Sequence, residues 1–146
     1  GCEFAMSCDI RIASEEARFG FPETDVGLTI TTAGTKLLAQ IVGLGKAKEL
    51  VFTGDFVDAH EAMAIGLVNK VVAAESLLDE SMAMARRIGE KSPLALKLSR
   101  IAIDQGLHSS FEQTLELEAG HLLICAGAQN QEKFVERKLE KMKGNI

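Results

Sequence analysis

Several absences narrow what this chain can do before any residue is singled out. Cysteine is sparse: Cys2, Cys8 and Cys125 are odd in number and form no CxxC pair. Free thiols in a reducing, cytoplasmic setting are therefore expected, behaving as small apolar residues. Basic charge is short as well. Sixteen Lys and Arg face 21 Asp and Glu, for a net charge of −5 and a pI near 5.2, which argues against nucleic-acid binding through a dominant basic face. No apolar run reaches the length of a membrane span. No charged-then-apolar leader opens the chain, and Met6 stands where an acylation signal at Gly1-Cys2 would need Ser or Thr. HExxH, a phosphate loop and GxSxG are all missing, so zinc-protease and serine-nucleophile chemistry have no support. Gly43-Leu44-Gly45 lacks the third glycine of a dinucleotide fingerprint and follows a helical pattern rather than a strand.

What remains is an ordinary globular composition. The 146 residues are 47% hydrophobic and 25% charged, enough for one domain with a core. Cys2 to Cys8 reads as a buried helix and Ile10 to Ala13 as a strand. Arg18-Phe19-Gly20 reads as a second strand, after which Pro22 breaks the chain and leaves Glu23 on a loop. From Thr32 the pattern is helical. One helix carries Leu37, Leu38, Ile41 and Val42 and closes at Gly43; the next carries Ala47, Leu50 and Val51 and closes at Gly54. Asp58 and Glu61 have capping-box spacing for a short helix stopping at Gly66, and 67–72 reads as a strand. Four longer helices follow: about 75–90 with a stripe of Leu78, Met82, Ala85 and Ile88, one capped at Ser92-Pro93, one capped by Ser110 and Gln113, and one over about 129–142. The front is α/β and the back is all helix. The first residues already read as part of an element, so the chain is expected to be a piece of something longer.

Few residues stand out as chemistry. Glu118 and His121 have the helix spacing of a di-metal ligand pair, but no second copy faces them, and no metal is expected. Lys133, Arg137, Lys138, Lys141 and Lys143 interleave with Glu132, Glu136 and Glu140. Alone, this is a solvated helix face with i,i+4 pairs. Glu3 and Glu23 each sit where local structure changes. Together in an apolar setting they could divide general acid–base work. Separately, one is an acid in a first helical turn and the other a loop carboxylate beside a proline. Periodicity leaves both readings open.

The stretch from Gly1 to Ser14, with Glu3 inside Gly1-Cys2-Glu3-Phe4-Ala5-Met6-Ser7-Cys8-Asp9, resembles the signature of the enoyl-CoA hydratase/isomerase (crotonase) superfamily. Ala17 to Leu28, containing Phe21-Pro22-Glu23, continues the match in register. The two glutamates lie 20 positions apart, as the catalytic pair does in the hydratases. Thr53-Gly54-Asp55, the segment from Ala62 through Gly66-Leu67-Val68-Asn69-Lys70-Val71, and Ser92-Pro93-Leu94-Ala95 also look like this family. The resemblance implies an α/β fold: the C-terminal part of a ββα spiral followed by a helical oligomerisation region. Residues 1–72 would end the spiral core and carry both glutamates. Residues 73–146 would form the region that builds homo-trimers or hexamers.

The resemblance also implies a reaction: addition of water across the 2,3 double bond of an acyl-CoA thioester. Glu3 and Glu23 would hold the water, Glu23 delivering a proton to C2 and Glu3 orienting and activating the nucleophile. Coenzyme A arrives as part of the substrate, so no separate cofactor is expected, nor a membrane or nucleic-acid partner. Phe134 and Arg137 align with residues that contact the CoA nucleotide, where an Arg suits a phosphate. Both oxyanion-hole donors would lie outside residues 1–146, so little turnover is expected of the chain alone. A 3,2-enoyl-CoA isomerase, needing only the carboxylate at Glu23, is the neighbouring enzymatic reading, and a non-catalytic assembly module is a third. In one loop the sequence departs from the family: Ile30-Thr31 replaces a common Pro-Gly pair. A backbone N–H survives at Thr31 to help hold water or substrate, but its branched side chain narrows the backbone's choices.

Overall fold

A computed structural model describes residues 1–128 and 131–144. By its contacts the chain forms two compact units, Gly1–Ala83 and Met84–Ile146.

The first unit contains short strands between short helices. Helix α1, Cys2–Met6, starts with Ala5 N–H donating to the Gly1 carbonyl at 3.0 Å and buries Met6. Arg11 then fastens the chain across a long sequence gap. Its guanidinium donates to the carbonyls of Leu67 (2.5 Å) and Cys8 (2.6 Å), and its backbone exchanges hydrogen bonds with Asn69. That clasp sets the register of a parallel pair between β1 (Ile12–Ser14) and β4 (Lys70–Val72), with Ile12 opposite Lys70 and Ser14 opposite Val72. A second, antiparallel pair joins β2 (Arg18–Phe19) to β3 (Val57–Asp58). Strand β3 has no counterpart in the sequence reading, and the strand expected over 67–72 begins only at Lys70. Leu67 and Val68 enter the core from an irregular segment whose N–H groups both donate to the Ala62 carbonyl.

Glu23 does not lie on an irregular loop. Pro22–Val26 is a 3-10 helix, with proline at its first position and Gly27 closing it at φ 72°. Proline fixes the φ that a helical start requires, and glycine accepts the left-handed exit. Phe21 anchors the turn with 1% exposure, and the Thr24 hydroxyl donates to the Val51 carbonyl at 2.9 Å, tying the turn to the next helices.

Helices α2 (Gly34–Val42) and α3 (Leu44–Thr53) pack together, joined by Gly43 alone. Leu38, Ala47 and Leu50 are buried between these elements, each large side chain contributing about 1.5–3 kcal/mol on burial. In α4 (Ala59–Ala64) the Asp58 carboxylate caps the Glu61 N–H at 2.8 Å. Glu61 does not complete the box; its carboxylate pairs with Lys46 at 2.8 Å.

A 3-10 turn (Ala74–Ser76) leads into α5, Leu77–Gly89. The expected stripe there is shifted: Leu78 and Met82 are exposed, whereas Leu77, Ser81, Met84 and Ile88 are half-covered.

In the second unit α6 (Pro93–Gly106) is capped by the Ser92 hydroxyl, and α7 (Phe111–Ala126) by a complete Ser110–Gln113 box. These two helices pack on each other, with Ala102 of α6 buried. Helix α8 is Gln131–Lys143; the expected start at Gln129 lies outside the described residues. Among the described residues no helix is long and apolar enough to cross a membrane.

Candidate active site

Three short elements of the first unit meet around the Glu3 carboxylate. Glu3 projects from the first turn of α1. Its Oε1 accepts the Thr31 backbone N–H at 2.5 Å and the Thr31 hydroxyl at 3.2 Å, and the same hydroxyl lies 3.4 Å from Oε2. Helix α2 starts alongside. A Cβ placed on Gly34, its first residue, would sit 3.4 Å from Glu3 Oε1 and 3.3 Å from Glu3 Cγ. The dipole of a helix N-terminus favours a carboxylate there.

That approach depends on glycine. The same added Cβ would fall 2.5 Å from Ile30 Cγ2, well inside contact. Ile30 is a core residue, 6% exposed, so Gly34 lets the core, the helix start and the glutamate converge.

The loop in between is strained. Thr32 and Ala33 both have positive φ, 53° and 58°, a region L-residues avoid and a β-branched one most of all. Such conformations cost about 1–3 kcal/mol each and persist only where surroundings impose them. Here the Gly34 N–H donates to the Thr31 carbonyl at 2.7 Å, and the Lys36 and Leu37 N–H groups close on the Ala33 carbonyl.

Glu23 opens this same segment, eight residues before Thr31. Its carbonyl accepts the Leu28 N–H at 2.9 Å. Its side chain differs from that of Glu3: Oε2 is shielded from solvent and meets no hydrogen-bond partner among the described residues. A desolvated carboxylate oxygen left without a hydrogen-bond partner costs about 1–3 kcal/mol or more. The two carboxylates thus have different surroundings, one gripped by donors and one with an idle oxygen.

The other two expected contact residues lie in the second unit. Arg137 stacks its guanidinium 6.0 Å from the Phe134 ring centre, within cation–π reach, and donates to the Glu90 carbonyl at 3.4 Å. Phe134 also lines an apolar cavity of about 820 Å³ with Pro93, Leu94, Cys125 and Leu139. Lys141 pairs with Glu90 at 2.7 Å and holds that carboxyl below its usual range. For Glu118 and His121, no cluster of three or more His, Cys, Asp or Glu able to hold a metal occurs among the described residues. His121 Nδ1 is shielded without a hydrogen-bond partner there.

Sequence reasoning missed two parts of the site. The 3-10 turn under Glu23 was signalled by proline and glycine five residues apart. The grip of Thr31 on Glu3 had no local signal, since 28 positions separate the partners.

Short helices, two small sheets and a helical second unit, with a glutamate presented to a helix start, make up an α/β architecture. The sequence pattern of the enoyl-CoA hydratase/isomerase family matches residues 1–145. Over 146 residues the chain is 43% identical to a crotonyl-CoA hydratase of Syntrophomonas wolfei, covering all of this chain and 56% of that protein. It is 41% identical to a short-chain-enoyl-CoA hydratase of Clostridioides difficile over 92% of this chain and 87% of that one. The crystal structure of an enoyl-CoA hydratase from Bacillus anthracis superposes with a TM-score of 0.92 at 31% identity, over 97% of this chain and 55% of that one. The chain belongs to the enoyl-CoA hydratase/isomerase family, and it spans about half the length of the Syntrophomonas and Bacillus proteins.

Proposed function

We propose that the whole protein containing this chain adds water across the 2,3 double bond of a short 2-enoyl-CoA. Glu3 and Glu23 are the acid–base pair, and the substrate brings the coenzyme A. The unequal surroundings of the two glutamates carry this reading. Hydration needs one carboxylate fixed in orientation to aim a water at C3. It needs a second whose oxygen is uncommitted, to exchange a proton at C2. In the step, the water oxygen bonds to C3 while the π electrons move through C2 toward the thioester oxygen. Glu3 accepts a proton from the water and Glu23 delivers one to C2, so the pair ends with as many protons as it began. Backbone donors that polarise the thioester would come from outside residues 1–146, each typically contributing a few kcal/mol. The isolated chain is accordingly expected to turn over little substrate.

Hydratases among the relatives, at 41–43% identity, favour hydration over isomerisation, as does the presence of Glu3. In the same proposal Phe134 and Arg137 receive the nucleotide end of the CoA, and the protein is a homo-trimer or hexamer. Support for assembly comes from α7, where Phe111, Leu122, Leu123 and Ile124 are all exposed, more apolar surface than a solitary helix leaves open.

Hydration of crotonyl-CoA by the whole protein is the test. Glu3→Gln and Glu23→Gln should each lower kcat by about 10²–10⁴-fold. Undiminished hydration by Glu3→Gln would reject the assignment.

A further inference from the structure

The donors that grip Glu3 come from one residue, Thr31, and its hydroxyl does something its backbone N–H cannot. The N–H reaches a single oxygen, Oε1. The hydroxyl straddles the carboxylate, 3.2 Å from Oε1 and 3.4 Å from Oε2. A single contact leaves a carboxylate free to rotate about its last bond; a second donor, placed between the oxygens, fixes that rotation. The hydroxyl is itself set by its neighbour, with Thr32 Oγ1 at 3.5 Å from Thr31 Oγ1. Thr32 and Ala33 hold positive φ just there, and the segment is pinned on both sides, by buried Ile30 and by buried Gly34 at the start of α2. Thr31 and Thr32 are exposed, so core packing does not explain their conformation.

Resting on the hydration reading above, we propose that Thr31 is a positioning residue. Its hydroxyl, aimed by Thr32 and imposed by the strained turn, fixes the rotation of the Glu3 carboxylate so that Oε2 is the oxygen presented to the attacking water. Thr31 touches neither reacting carbon and acts through Glu3. The strain at Thr32 and Ala33 is then part of the site, because relaxing the turn would swing the hydroxyl away.

The test uses Thr31→Val, which keeps the branched shape and the N–H but loses the hydroxyl, and Thr31→Ser, which restores it. In the whole protein Thr31→Val should lower kcat for hydration about tenfold, the scale of one lost hydrogen bond to a charged group, with KM nearly unchanged. Thr31→Ser should return to within about twofold of the parent. A Thr31→Val enzyme with unchanged kcat, or a Ser variant as impaired as Val, overturns the proposal. A readout independent of turnover is the crystal structure of the Thr31→Val protein, in which the Glu3 carboxylate should rotate or lose a single orientation. Finding it fixed as in the parent overturns the positioning role. If the parent hydrates no enoyl-CoA, the functional reading fails, while the crystallographic result still decides whether Thr31 orients Glu3.

Discussion

Residues 1–83 enclose a core of large apolar side chains, although Phe4, Val26 and Phe52 stay exposed; residues 84–146 enclose no large apolar side chain among those described. Phe21, Leu38, Leu50 and Leu67 are buried almost completely in the first unit. In the second, Ala102 at 8% exposure is the one buried apolar residue among those described, while Leu122 and Leu123 are 69% and 74% exposed. The polar features differ in the same way. The first unit is cross-tied by contacts between residues far apart in sequence, such as Arg11 with Leu67 and Thr24 with Val51. The second leans more on local caps, above all the reciprocal Ser110–Gln113 box, with its long-range ties running from Arg137 and Lys141 of α8 to Glu90. One unit closes around a core that long-range ties cross, while the other is helical with little of its apolar surface enclosed.

Core truncation should split the two most widely. Phe21→Ala removes an anchor under the Glu23 turn and is expected to cost about 3–5 kcal/mol in urea denaturation. Leu122→Ala should change the stability of an unassembled chain by no more than about 0.5 kcal/mol. A comparable loss at Leu122 would mean that α7 is covered in solution, and the contrast between the units would then be one of assembly rather than of folding.

A finer contrast lies inside the first unit, between two glycines that end helices. Gly43 has φ 81° and ψ 156°, a region essentially reserved for glycine, and it both closes α2 and opens α3. Gly54 has φ 68° and ψ 6°, the left-handed form that other residues enter at a cost of about 1–2 kcal/mol. Gly43→Ala should therefore destabilise by about 3 kcal/mol. Gly54→Ala should lose about half that, its new Cβ 2.9 Å from the Asp25 Oδ1 at the end of a short side chain. Equal midpoint shifts in thermal unfolding would show that the α2–α3 joint can relax.

These glycines also show how far the sequence could be read. Both were legible as helix ends, because a glycine after an apolar period is a local signal. Which one carries the rarer backbone was not, since that depends on the angle at which two packed helices meet. The same division runs through the site. The caps at Ser92 and Ser110 and the short helix bearing Glu3 follow from neighbours in sequence. Strand β3, two residues long, exists only because Val57 and Asp58 find Phe19 and Arg18. In α5 the expected stripe of Leu78, Met82, Ala85 and Ile88 holds only at Ile88; Leu77 and Met84 are half-covered where Leu78, Met82 and Ala85 are exposed. Family resemblance singled out Glu3, Glu23 and Thr31, yet the meeting of Thr31 with Glu3 required the fold.

The smallest expected effect is electrostatic, and it takes opposite signs in the two units. Lys46 bridges Glu49 and Glu61 at 2.7 and 2.8 Å, and these hydrogen bonds raise its ammonium above the usual 10.5. A raised pKa means that the tie between α3 and α4 is fully present below the unfolded value and is lost as pH climbs through the higher folded one. Glu90 behaves in reverse. The Lys141 ammonium lowers its carboxyl from the usual 4.5, so that tie is present above the unfolded value and fails as pH falls through the lower folded one. Both pairs are open to solvent, where screening keeps such contributions small. Amide exchange should therefore register them locally rather than as unfolding. Protection in α8 should fall at acid pH in the parent but not further in Glu90→Gln, while protection in α4 should hold there and weaken only in alkali. Loss of α8 protection with the same acid profile in Glu90→Gln would assign the effect to other carboxylates of that helix, such as Glu132, Glu136 or Glu140.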